Sequence, residues 1–152
     1  MSRTLYFMML ALPLVIGCAG TSKAPPEEME AAMSFEVPDD KGVVYLYRLG
    51  RAVAAANVSI VKVNSLEAGG TGPGTFFRWE LKPGTYTFSA STGESSKTVQ
   101  LQVEAGELYF IEQNIRLGIS EGRVQLKEVD EKTGKKSVQG MKMLVSAYVP
   151  EE

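Results

Sequence analysis

The sequence predicts an all-β fold, a small antiparallel β-sandwich of about seven strands. Two observations carry this expectation. Short runs in which apolar and polar residues alternate recur between Gly42 and Val129, and Gly, Pro, Asn or Ser turn signals bound most of them. No stretch in that span has a helical pattern long enough for the crossover that usually joins parallel strands. Composition agrees, since 44% hydrophobic and 22% charged residues describe a chain that can build a core rather than a disordered tail.

Ahead of the strands lies a segment of different character. Arg3 precedes an apolar run from Leu5 to Ile16, the charged and hydrophobic regions of a secretory signal, and the run is too short to span a bilayer. Val15-Ile16-Gly17-Cys18 ends it with a branched residue three places before a cysteine, a small residue directly before it and a thiol at the junction. This stretch resembles the lipobox of bacterial lipoproteins. The resemblance implies a diacylglyceryl group on the Cys18 sulfur, cleavage before Cys18 and acylation of the new amino group. An ordinary cleavable signal asks only for small residues at the junction and leaves the cysteine unexplained. Each buried methylene contributes about 0.8 kcal/mol, so two or more acyl chains make a stable anchor where one makes a marginal one. Ala19, standing where an aspartate would signal retention, implies by the same resemblance an outer-membrane destination. The expected organisation is a lipoprotein signal peptide at 1–17, a lipidated cysteine and flexible tether at 18–40, and the β-sandwich at 41–152.

From Ala19 to about Asp40, the prolines at 25 and 26 and the carboxylates Glu27, Glu28 and Glu30 read as a tether. A flexible linker of that length has a root-mean-square reach of roughly 25 Å. Pro26 followed by acidic residues also suits the first turn of a short helix. The domain proper opens with Val43 to Arg48, where Val44 and Leu46 share one face and Tyr45 and Tyr47 the other. With both faces apolar, this strand belongs in the middle of a sheet, with a covering segment over the tyrosines. Val58 to Val63 reads as a second strand, Asn64-Ser65 as a turn, and Gly69-Gly70-Thr71-Gly72-Pro73-Gly74 as a flexible loop. A phosphate-cradling loop would need Lys-Ser or Lys-Thr and a helix after its last glycine, and Thr75-Phe76-Phe77 follows instead.

Phe77, Trp79 and Leu81 occupy one face of the next strand, and Tyr86, Phe88 and Ala90 one face of the strand after it. Pro83-Gly84 between them fits the centre of a type II turn, so the pair reads as a hairpin. Thr92 to Ser95 makes a polar turn before the alternating Val99, Leu101 and Val103, and Ala105-Gly106-Glu107 another before a strand from Leu108 to Arg116. Arg123 to Val129 supplies the last clear strand. Asp130 to Lys136 reads as a solvated connection with one helical turn ending at Gly134, and Met141 to Val149 as an edge strand or a packed arm.

Chemistry is narrowed mainly by what the chain lacks. Histidine is absent, which removes the commonest general base and metal ligand, and Cys18 is the one cysteine, so no intrachain disulfide can form. Net charge is -2, without the basic footprint of a nucleic-acid surface. Asp39-Asp40 and Asp130-Glu131 lack the spaced oxygens of a calcium loop and read as solvated turn charges. No catalytic residue, metal or cofactor is expected.

Val43 to Arg48, Phe77 to Leu81 with Pro83-Gly84-Thr85-Tyr86, Ala105-Gly106-Glu107-Leu108-Tyr109-Phe110, and Leu126 to Asp130 together resemble a family of bacterial lipoproteins, domain of unknown function 2846. The resemblance covers roughly Gly42 to Val138 and implies a small β-sandwich, with no functional residues to carry over. The chain departs from the pattern after Val63, where an Asp-Gly turn is usual. The expected function is a lipid-anchored, non-catalytic interaction or assembly module of the bacterial cell envelope, held to the membrane through Cys18 and meeting an envelope protein partner. The alternative is glycan or peptidoglycan binding, with Tyr45 and Tyr47 as the ligand surface and Trp79, Tyr86 and Tyr109 left to packing.

Overall fold

The structure, a computed structural model, describes residues 21–50 and 56–151. The expected signal segment, Cys18 and residues 51–55 of the first connection lie outside the described residues. Chain order is α1 (Pro26–Ser34), β1 (Gly42–Arg48), β2 (Ser59–Val63), β3 (Leu66–Thr71), β4 (Thr75–Leu81), β5 (Gly84–Ser91), β6 (Ser96–Val103), β7 (Leu108–Arg116), β8 (Arg123–Val129), α2 (Glu131–Val138) and β9 (Lys142–Met143). Two sheets face each other, one ordered β8-β7-β1-β4-β9 and the other β3-β2-β5-β6.

The all-β sandwich is what forms, with nine strands among the described residues and mixed pairing. β1 runs parallel to β7, and β4 parallel to β9. Between β1 and β7 the chain visits the opposite sheet twice, as β2-β3 and β5-β6, with β4 of the same sheet between, so no helix was needed to make a parallel pair. β1 takes the central position because both its faces are apolar, and every one of its residues is buried. Val44 and Leu46 enter the space between the sheets with Phe77, Trp79, Leu81, Phe88, Leu101 and Ile111. Val43, Tyr45 and Tyr47 enter a second core with Phe76 and Phe110, covered by Ala32 of α1 and Val138 of α2. The molecule therefore has three layers.

The expected hairpin at Pro83-Gly84 is corrected. β4 and β5 lie in different sheets, and the chain crosses between them at this corner. Gly84 has φ +158°, close to extended backbone rather than the φ near 80° that a type II turn requires. The inward faces are those expected, and Trp79 meets Phe88 with ring centroids 5.8 Å apart. They meet as opposed layers. The glycine-rich segment is also corrected, since residues up to Thr71 form β3 rather than a flexible loop. Asn64 and Ser65, at φ 48° and 70°, make the tight β2–β3 turn. The expected helical stop at Gly134 gives way to a full helix in which Asp130 caps the Thr133 amide at 2.9 Å and Gly134 lies buried against Phe110.

The tether is corrected from Thr21 onward. α1 docks on the tyrosine face of β1, and Phe35 ends it in the left-handed conformation at φ 57°. Ahead of the helix, Thr21 Oγ1 accepts from the Gly70 amide at 2.7 Å, Ser22 O accepts from the Val145 amide at 2.8 Å, and the Ala24 amide donates to Met143 O at 2.9 Å. The tail is both an edge strand and an arm. β9 extends the five-stranded sheet, after which Leu144 and Tyr148 enter the core, the Ala147 amide donates to Ala68 O at 2.8 Å, and Trp79 Nε1 donates to Ser146 Oγ at 2.8 Å.

Candidate functional site

Tyr45 and Tyr47, the candidate ligand surface, are both fully buried, which overturns that reading. Strand alternation placed them on the face away from Val44 and Leu46, as expected, but α1 and α2 cover that face. The Tyr45 hydroxyl donates to Ala32 O at 2.5 Å and accepts from Arg78 Nε at 3.2 Å. Its ring stacks on Phe110 with centroids 5.0 Å apart. The Tyr47 hydroxyl donates to Glu112 Oε2 at 3.2 Å. Burial, with the Glu112 carboxylate adding to it, pushes that hydroxyl up to about 12. Trp79 is in the main core, and Tyr86 and Tyr109 pack at its edge, as expected of them. Asp39 and Asp40 are exposed turn residues, whereas Asp130 is the exposed N-cap of α2 and Glu131 stands in its first turn.

A polar strip lies on the outer face of β7 and β8, beginning beside the part of β7 on which α2 packs. Residues two apart along a strand share a face, so Glu112, Asn114 and Arg116 line up on β7 and meet Lys127, Gln125 and Arg123 on β8 in register. Lys127 Nζ lies 3.1 Å from Glu112 Oε1. Together these side chains, excepting Arg123, line a groove of about 790 Å³. It presents amide, guanidinium and carboxylate groups suited to hydrogen bonding with a polar partner. No group of three metal-ligating side chains occurs among the described residues.

The loop at one end of this strip is held by a carboxylate that sequence reasoning did not single out. Glu94, in the β5–β6 turn, accepts from the backbone amides of Ile119 at 2.8 Å, Ser120 at 3.0 Å, Glu121 at 3.3 Å and Gly122 at 3.4 Å, and from Arg123 Nε at 3.2 Å. Those backbone donors hold its carboxyl down at about 2. Glu121 answers by accepting from the Gly93 amide at 2.6 Å, and Thr92 Oγ1 donates to Gly122 O at 2.7 Å. Asn57 Nδ2 donates to Glu121 O. The β7–β8 loop is thus pinned, yet Leu117 and Ile119 stand 79% and 90% exposed on it. Two apolar side chains are held in water on a fixed backbone. The local sequence signal was only a polar turn and a glycine-interrupted strand end; that the two turns touch follows from β6 packing over β8.

A family model described as "Protein of unknown function (DUF2846)" matches residues 38–124. A Haemophilus influenzae protein named "Uncharacterized protein" is 28% identical over 137 residues, which cover 88% of this chain and 79% of that relative.

Proposed function

Since the chain belongs to this family of unknown function, whose model spans the first strands of the sandwich through the start of β8, we propose that it is a lipid-anchored, non-catalytic interaction or assembly module of the bacterial cell envelope. The observation that carries the reading is Val15-Ile16-Gly17-Cys18, with its charged and apolar run upstream. Cys18 takes the acyl chains, and Ala19 after it favours the outer membrane. The thiol is the nucleophile for diacylglyceryl transfer, and no other cysteine can substitute.

A protein partner is supported by the pinned loop. Leu117 and Ile119 on a fixed backbone lose little conformational entropy on docking, and the polar strip beside them supplies directional contacts. The glycan alternative loses its aromatic platform with the burial of Tyr45 and Tyr47. Mass spectrometry of the first peptide tests the anchor. The expected result is a mature chain beginning at Cys18 with an acyl mass increment, absent in Cys18→Ser, whose domain is expected to stay folded because the buried residues of its two cores run from Ala32 to Tyr148. A wild-type chain beginning unmodified at any later residue would sink the reading. For the partner, crosslinking in intact envelopes is expected to capture a protein whose yield falls in the Leu117→Asp, Ile119→Asp double variant. An unchanged yield would reject this loop as the contact.

A further inference from the structure

We propose that the domain sits flush on the lipid surface through the face that carries Thr21, Val58 and Val145, instead of standing clear of it on a tether. The inference rests on the lipidation of Cys18 and adds to it an orientation and a contact surface. Only Ala19 and Gly20 separate Cys18 from Thr21, and three residue-to-residue steps of fully extended chain span at most about 10 Å. A flexible linker running to Asp40 would instead have reached roughly 25 Å. The difference decides the geometry, because Thr21 is already part of the fold.

Several contacts hold that point in place. Thr21 Oγ1 takes the Gly70 amide at 2.7 Å, and the next residues bridge to the carboxy-terminal arm through Ser22 O with the Val145 amide and through the antiparallel Lys23–Leu144 bridge. Gly69 makes room for this docking and Gly70 for the neighbouring Val58. A Cβ at Gly69 would press on Thr21 Oγ1, and one at Gly70 would run into Val58. The acylated residue is confined to the headgroup boundary by its chains, and the interfacial layer on each side of the hydrocarbon is about 5–7 Å thick. Thr21 therefore lies within about one chain-length of that layer. The side chains around it include exposed apolar ones, Val58 at 61% and Val145 at 46%. Their exposure to water is reduced on the headgroup surface. The β6–β8 edge lies on the opposite side of the sandwich from β3 and β9. With strands about 4.8 Å apart, that places β6 about 15 Å farther along its sheet.

The test uses the full chain, processed and acylated in a bacterial host, with the acyl chain occupying the native thiol so that an introduced cysteine is the sole reactive one. Val145→Cys and Gln100→Cys, both at exposed positions, each carry an environment-sensitive fluorophore in phosphatidylethanolamine and phosphatidylglycerol vesicles with headgroup-nitroxide quencher lipid. Quenching at position 145 is expected to exceed that at position 100 several-fold, and a Gly-Ser spacer inserted between Gly20 and Thr21 is expected to abolish the difference. Equal quenching at the two positions in acylated, vesicle-bound protein overturns the orientation. A difference that survives the spacer overturns the short leash as its cause. Mass spectrometry of the same preparation separates these outcomes from failure of the premise, since a chain without acyl groups contradicts the lipidation reading itself.

Discussion

At the scale of single residues, Glu94 shows how a charged side chain in a turn can organise a distant loop. Its carboxyl titrates near 4.5 in the unfolded chain and about 2 in the folded one, because the ionised form accepts from the amides of Ile119 and Ser120. A depressed folded value means that this contribution to stability is present above 4.5 and is lost as pH falls toward 2. Glu94→Gln is therefore expected to flatten the acid limb of stability between those values and to speed amide exchange at Ile119 and Ser120 at neutral pH. Unchanged exchange would show that the loop holds itself. Arg48 works in a related way inside the core, donating through Nη1 to Asn57 O at 2.6 Å and Thr71 O at 2.8 Å while only 2% exposed. Burial lowers its pKa. In the sequence it was only the polar end of a β-prone run.

At the scale of elements, α2 is the clearest case of packing overriding local preference. Glycine inside a helix costs about 1 kcal/mol relative to alanine, so Gly134→Ala would be stabilising if propensity governed. The buried glycine faces the Phe110 ring near its root, where an added Cβ has no room. Gly134→Ala is expected to destabilise the protein by about 1–3 kcal/mol, as overpacked cores do. Urea unfolding with a raised midpoint would contradict this. The β4–β5 corner teaches a parallel lesson. Alternation told correctly that Phe77, Trp79 and Leu81 share a buried face with Phe88 and Ala90 beyond the turn. It cannot tell whether two such faces lie side by side in one sheet or opposite one another in two, because the burial pattern along each strand is the same in both arrangements.

At the scale of the whole molecule, the layer over Tyr45 and Phe110 is supplied by chain ends rather than by the sandwich. Met29, Ala32, Met33 and Phe35 cover one part and Val138 another, while residues 21–24 close the sandwich beside β3. A variant beginning at Asp40 is expected to keep a β-dominated circular dichroism spectrum, to bind a hydrophobic dye and to unfold at lower urea. Full coverage of an apolar side chain contributes about 1.5–3 kcal/mol, so the loss should amount to several kcal/mol. Unaltered dye binding and midpoint would mean that the amino-terminal layer is dispensable.

The sequence by itself determined the fold class, the inward face of most strands and the central place of β1, because side-chain alternation and apolar content are local properties that burial reads directly. It also carried the Val15-Ile16-Gly17-Cys18 pattern on which the proposed lipid anchor rests. What only the tertiary structure decided was which strand pairs with which, the burial of Tyr45 and Tyr47 under α1 and α2, the meeting of Glu94 with the β7–β8 loop, and the anchoring of Thr21 beside β3. Each of these joins segments far apart in the chain. Such contacts depend on how layers stack once the chain has folded, and no residue pattern within a single segment encodes its partner.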